Sequence, residues 1–173
     1  SLANQTIDIS IGSFNTSSLG GLSGDIVGEA TTGLAALNLL TAGDLIINDT
    51  SIGALTTGTT LNNTLALVNA SLDGKGALAS ATVEVSGTST GSGVLVPGTS
   101  SLTLAVVDGD NNSQSYVITG TNSLKELVAK INEETGVDAK INDQGRLVLN
   151  REGALSITVT DSSSNNEASG LAD

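Results

Sequence analysis

Whatever core this chain builds must be made almost without aromatic rings and entirely without sulfur. Its 173 residues include one Tyr (Tyr116), one Phe (Phe14) and no Trp, Met or Cys. Packing therefore falls to Leu, Val, Ile and Ala. These bury less surface per side chain than Phe or Trp, so thin core layers are expected. The 21 Gly and the many Ser, Thr and Asn point to short strands and frequent turns. The length fits one domain or two small ones.

The same inventory removes whole classes of chemistry. Without Cys or His there is no thiol nucleophile, no imidazole base and none of the commonest zinc ligand sets. A disulfide framework is excluded as well. Eighteen acidic residues against six basic ones give a formal charge of −12. Such a surface repels phosphate backbones and anionic lipid, so neither nucleic acid nor membrane is expected as a partner. Its plain consequence is solubility. No apolar run approaches the roughly 20 residues of a membrane-spanning helix. No export leader is read at the start, and Ser1 is expected to lie inside a longer chain.

The sharpest local signal lies between residues 120 and 136. Ser123 and Glu126 form an S-x-x-E capping box. Leu124, Leu127, Val128 and Ile131 follow as one apolar stripe, and Gly136 is read as the left-handed C-cap. Strands flank this helix. Leu102, Leu104 and Val106 alternate with small residues, and Asp108–Asn112 turns the chain into Ser115–Thr119. Val137, Ala139 and Ile141 alternate after the helix, Asp143-Gln144-Gly145 turns, Leu147 and Leu149 continue, and Ile157 and Val159 mark a last strand. Two strands, a helix and three strands make an α+β unit.

An earlier stretch resembles this scheme. Shifted by 63 residues, Thr60, Leu61, Leu65, Val68 and Asn69 fall on Ser123, Leu124, Val128, Ile131 and Asn132. Leu45-Ile46-Ile47 reads as a strand before the earlier helix and Ala79–Val85 as one after it, with a longer loop at Asp73-Gly74-Lys75-Gly76. Two unrelated amphipathic helices could also produce five matching positions. Between the copies, Ser86–Ser101 is rich in Gly, Ser and Thr, holds Pro97, and reads as a linker or long loop. Gln5–Ile11 alternates strictly and reads as a strand, and Asp161–Asp173 reads as a polar outgoing segment.

Two pieces together resemble bacterial flagellin. Asn4-Gln5-Thr6-Ile7-Asp8-Ile9-Ser10-Ile11-Gly12, followed by Thr16-Ser17-Ser18-Leu19-Gly20, is similar to the stretch where a flagellin leaves its N-terminal helical core. Ser123–Asn142 with Leu147-Val148-Leu149 resembles the short repeat, named for its Ile-Asn pair, of flagellins and hook-associated proteins. Ile131-Asn132 supplies that pair, and Val68-Asn69 stands in its place in the earlier copy. The resemblance implies the variable, surface-exposed middle region of a flagellin, of the kind called D2/D3. It would be secreted and displayed on the filament, while assembling terminal helices lie outside this sequence.

Candidate sites were weighed on their own chemistry. Asp108-x-Asp110-x-Asn112 opens like a calcium loop, but Ser113 stands where the Gly belongs and Thr119 where the bidentate Glu belongs, so a hairpin turn is expected. Glu133-Glu134 could imitate a paired-carboxylate site, yet it lies opposite the apolar stripe and reads as a solvated face. Asn-x-Ser/Thr sequons at Asn4, Asn15, Asn48, Asn62, Asn69 and Asn111 are expected by chance in such a composition. Ser86–Ser92 and Ser162–Ser164 are candidate O-glycosylation acceptors by the flagellin resemblance.

The expectation is an elongated α+β chain of two related small subdomains, each an antiparallel sheet packed with one short helix. Residues 1–25 form a strand segment leaving the flagellin core, 26–90 and 91–160 the two subdomains, and 161–173 the return. No catalytic residue, cofactor site or metal site is assigned. Partners are expected to be other flagellin subunits through the terminal helices, with the isolated piece a monomer. The alternatives are a hook-associated or filament-cap domain and, from another class, a secreted adhesin or carbohydrate-binding module. The near absence of rings disfavours the last.

Overall fold

Strand pairing, more than helix packing, holds this chain together. The computed structural model describes residues 6–12, 25–27, 34–164 and 167–171, with backbone alone for the first two stretches. In order they form β1 (Thr6–Gly12), β2 (Asp25–Val27), α1 (Leu34–Leu37), β3 (Ile46–Ile47), β4 (Thr50–Ser51), α2 (Leu61–Leu72), β5 (Leu78–Ser86) and β6 (Val94–Leu95). There follow β7 (Leu102–Asp108), β8 (Ser113–Ile118), β9 (Thr121–Asn122), α3 (Leu124–Glu134), β10 (Asp138–Ile141), β11 (Leu147–Glu152) and β12 (Ala154–Asp161). This is an α+β fold in which the described residues form four antiparallel sheets, ordered β10-β11-β5-β1-β2, β12-β7-β8, β3-β4 and β6-β9.

The expected helix over 123–134 is present, and its start is made as the capping box requires, with one change. Ser123 Oγ accepts the Glu126 N–H at 3.2 Å, but the Glu126 carboxylate reaches back to Asn122 N–H at 2.9 Å rather than to Ser123. Leu127 and Ile131 are buried, and Leu124 and Val128 pack half-buried against the same core. The end of the helix differs from expectation. Gly136 is not left-handed; Thr135 is the C-cap at φ −125° and closes the last turn with its own hydroxyl, 2.8 Å from the Ile131 carbonyl. A Cβ at Gly136 would instead meet the Arg151 guanidinium, which packs against this glycine and would have to shift.

Among the described residues the core has two parts. Ile47, Ile52, Leu55, Val68, Leu72 and Ala79 form one, with Leu65 packed half-buried against it. The larger part joins Leu102, Leu104, Val106, Leu127, Ile131, Leu147, Leu149 and Ile157. Strand β5 serves both: Ala79 lies in the first part, Val83 and Val85 in the second. It also pairs with β1 on one side and β11 on the other. Both small helices thus hang on one continuous sheet.

Two stretches with little regular structure pack against the core. Ser86–Ser101, expected to be a linker or long loop, is a long loop that holds only β6, paired with β9, and buries Leu95 in the larger core. Its glycines are there for close approach: a Cβ on Gly93 would collide with the Ser123–Leu124 backbone, and one on Gly91 with Ala168 and Ser169. The expected polar tail is likewise a strap. Ala168 and Leu171 enter the larger core, and the backbone of 167–170 accepts hydrogen bonds from Thr88, Ser89, Ser92 and Gly93. The N-terminal strand read over Gln5–Ile11 appears as β1, Thr6–Gly12; Gln5 lies outside the described residues, as do Phe14 and the 13–24 part of the N-terminal resemblance.

Candidate functional site

The most specific polar geometry in the chain is a pair of asparagine clasps, one per helix. On α3, Asn132 stands one residue after buried Ile131 and faces the first strand after the helix. Its Oδ1 accepts the Ala139 N–H at 2.7 Å, and its Nδ2 donates to the Ala139 carbonyl at 3.0 Å. The side-chain amide therefore presents to β10 the donor and acceptor that another strand would have offered. β10 pairs only with β11 among the described strands, so the clasp occupies its outer edge.

The same geometry recurs on α2. Asn69 Oδ1 accepts from the Ala79 N–H at 2.7 Å and Nδ2 donates to the Ala79 carbonyl at 3.0 Å. Asn69 follows Val68, which is buried as Ile131 is, and α2 starts on Thr60 as α3 starts on Ser123, the hydroxyl accepting the Asn63 N–H at 3.2 Å. Leu65 and Val128, equivalent by position, are both half-buried. The 63-residue repetition is therefore structural as well as sequential. The Asn-to-Ala separation is 10 residues in the first copy and 7 in the second; α2 runs one residue further past its Asn than α3 does, and the loop around Asp73–Gly76 supplies the other two.

The two copies also touch. The Gly109 carbonyl accepts the Asn62 N–H at 2.9 Å, satisfying one of the orphan amide donors at the start of α2. A side chain at position 109 would meet the Asn62 side-chain amide, which would have to swing aside.

That docking turn is the one read as a failed calcium loop, and its oxygens are already engaged. Asp108 Oδ1 accepts from Asp110 N–H at 2.9 Å and Asn112 N–H at 2.8 Å, and Oδ2 from the Asn112 side chain at 3.0 Å. These bonds, the Asn112 side chain first, hold the Asp108 carboxyl below its ordinary range. Asn111 takes φ +67°, which completes the hairpin. Glu133 and Glu134 are both exposed, and Glu134 lies 3.8 Å from Lys130, one turn back. Among the described residues no group of three or more His, Cys, Asp or Glu could hold a metal ion.

Of the sequons, Asn4 and Asn15 fall outside the described residues. The Asn69 amide is consumed by its clasp, and Asn48 Nδ2 donates to the Lys75 carbonyl at 2.6 Å. Asn48 and Asp49 both have positive φ, the geometry of a two-residue hairpin turn between β3 and β4. Asn62 and Asn111 are exposed in the α2 start and the docking turn. In the two hydroxyl-rich stretches, Thr88 and Ser89 donate to the Gly170 carbonyl at 3.4 and 3.3 Å, and Ser163 Oγ accepts the Ala168 N–H at 3.0 Å.

Asp161 anchors the strap, and no sequence pattern marked it. Its Oδ2 accepts both the N–H and the hydroxyl of buried Ser169 at 2.7 Å, and its Oδ1 accepts the Ser163 N–H at 2.9 Å. Partial burial pushes this carboxyl up, but the bonds from Ser163 and Ser169 outweigh it and hold it below its ordinary value. Arg151 was missed as well: its Nη1 is buried without a hydrogen-bond partner, pressed against Gly136.

Comparison with known families was informative at one place. Residues 101–153 match the flagellin hook IN motif, a span containing β7 through β11, α3 and the Asn132 clasp. The match ties this segment to the flagellin and hook family and supports a flagellin-type middle region. No curated protein and no solved structure matches the chain.

Proposed function

We propose that this chain is the outer, variable part of a flagellin, displayed on the surface of a bacterial flagellar filament. The flagellin hook IN motif over residues 101–153 carries the reading. Its work there is steric and surface-chemical. It sets the girth, charge and antigenic face of the filament, and it carries out no reaction. Residues 26–90 and 91–160 act as two subdomains sharing β5, with no catalytic, cofactor or metal residues.

The closeness of the first and last described segments supports an inserted region. Thr6 pairs with Glu84 near the end of β5, and Gly170 is bonded to Thr88 and Ser89 just beyond it. The incoming and outgoing backbones therefore lie beside the same few residues. A region built this way can be carried by two neighbouring helices without forcing them apart. Subunits would meet through those helices, outside the cell, and this piece alone would stay monomeric in dilute solution. No helix among the described residues is long and apolar enough to cross a membrane. The matched motif is a flagellin hook motif, which favours one second reading, a hook-associated or cap protein.

Antibodies raised against the 173-residue chain and imaged by immunogold microscopy on the producing bacterium separate these readings. Label along the whole filament is the expected result. Label confined to the hook or the filament tip would favour the second reading. Label on the cell body alone would favour an adhesin and end the proposal.

A further inference from the structure

The sheet β12-β7-β8 turns Leu102, Leu104 and Val106 into the core, while on its other face the outer strands are mostly exposed and the central strand is half-buried. The ladder places Thr160, Thr103 and Val117 in one row of that face, and Thr158, Ala105 and Ser115 in the next. A third row continues with Ser, Val and Ser. None of these side chains is charged, and Val117 is 63% exposed. The contrast within the molecule is plain. On the five-stranded sheet a row of the same kind reads Asp138, Asn150, Glu84.

We propose that this uncharged face is a docking surface for a second copy of the same chain, sheet face against sheet face. The inference rests on the filament reading above, which supplies the neighbouring copies. Two molecules of formal charge −12 repel wherever their acidic surfaces meet. The contact that costs least is one where neither brings a charge. A basic partner would instead be drawn to the acidic remainder of the surface. The side chains are small, so two such sheets can approach to the roughly 10 Å of face-to-face packing.

The size of the patch sets the strength. Three strands at about 4.8 Å spacing and three alternate rows cover about 300 Å² per copy. Stable pairs bury about 800 Å² per partner. Dilute copies therefore stay apart, and the contact forms where assembly holds subunits side by side at millimolar effective concentration.

The chain has no cysteine, so single substitutions report contact without background. Ala105→Cys marks the centre of the face, and Glu133→Cys marks the exposed side of α3. Each variant is held at about 1 mM in about 0.5 M salt, where repulsion is screened, and oxidised briefly, after circular dichroism confirms its fold. The expected result is covalent dimer forming at least ~10-fold faster through position 105 than through 133, with the advantage lost when Ser115→Glu is added. Equal rates, or an advantage that survives Ser115→Glu, overturn the proposal. Filament labelling without preference at position 105 removes the docking face and keeps the flagellin reading. Preference at 105 without filament labelling keeps the face and removes the flagellin reading.

Discussion

Replacing Asn132 with Ala cuts both bonds of one clasp while leaving helix and strand in place. Each bond is worth about 1 kcal/mol net, and the Ala139 backbone groups left behind, on a residue 8% exposed, add a desolvation cost of similar size. Ala is the better helix former by about 0.5 kcal/mol, which offsets part of the loss. The sum is a destabilisation of about 1.5–2.5 kcal/mol. In a chain of this length that corresponds to a fall in Tm of about 4–8 °C. Urea unfolding followed by far-ultraviolet circular dichroism measures it, with an unchanged slope expected. Asn69→Ala should cost a similar amount, since its bonds to Ala79 have the same lengths. Without shared bonding partners, the two losses should add to within about 0.5 kcal/mol. Glu133→Ala, on the exposed face, should stay within about 0.5 kcal/mol. If Asn132→Ala costs no more than Glu133→Ala, the clasp holds nothing and water serves β10 equally well.

The remaining expectations follow from other parts of the fold. Ile131→Ala and Val68→Ala should each cost about 1–4 kcal/mol by urea unfolding, with Ile131 the larger because more volume is lost from a fully buried site. The lowered pKa of Asp161 means that its stabilisation is present above the unfolded carboxyl value near 3.9 and is lost as pH falls through the lower folded value. Asp161→Asn should therefore weaken the protein at pH 7 and shrink the drop in urea midpoint between pH 5 and pH 2; an unaltered drop would exonerate this carboxylate. Calcium at millimolar concentration should move Tm by less than about 5 °C, because the Asp108 oxygens are taken by the loop's own amides, and a larger rise would show that the ion displaces them.

How far the fold can be read ahead depends on where each signal is stored. The α3 helix and the alternation of Leu102, Leu104 and Val106 are local, so a few consecutive residues specify them. The order of the five-stranded sheet is not local. β5 meets β11 because β11 has a free side after pairing with β10, and no residue within β5 announces that. The packing of Ser86–Ser101 and of the strap was hidden for a related reason. Gly91 and Gly93 look like flexible spacers in sequence, yet each lies where another backbone comes too close for a Cβ. The Ile131-Asn132 and Val68-Asn69 pairs were legible as a pattern; their task was not, because the partner Ala is 7 residues away in one copy and 10 in the other. Gly136 shows the opposite error, a residue correctly singled out for a conformation it does not adopt.

The difference between those two separations has a practical reach. The first copy closes its clasp over a span three residues longer, and Gly74 and Gly76 carry it at φ +68° and +73°, with open space around the Gly74 Cβ position. Loop-closure entropy grows slowly, by about 0.6 kcal/mol for each doubling of length. A foreign peptide of about ten residues grafted between Gly74 and Lys75 should therefore leave Asn69 gripping Ala79. The bond from Asn48 to the Lys75 carbonyl is the one that would have to yield. On a filament, such a graft would be repeated at every subunit, making this bend a place from which to array a chosen epitope.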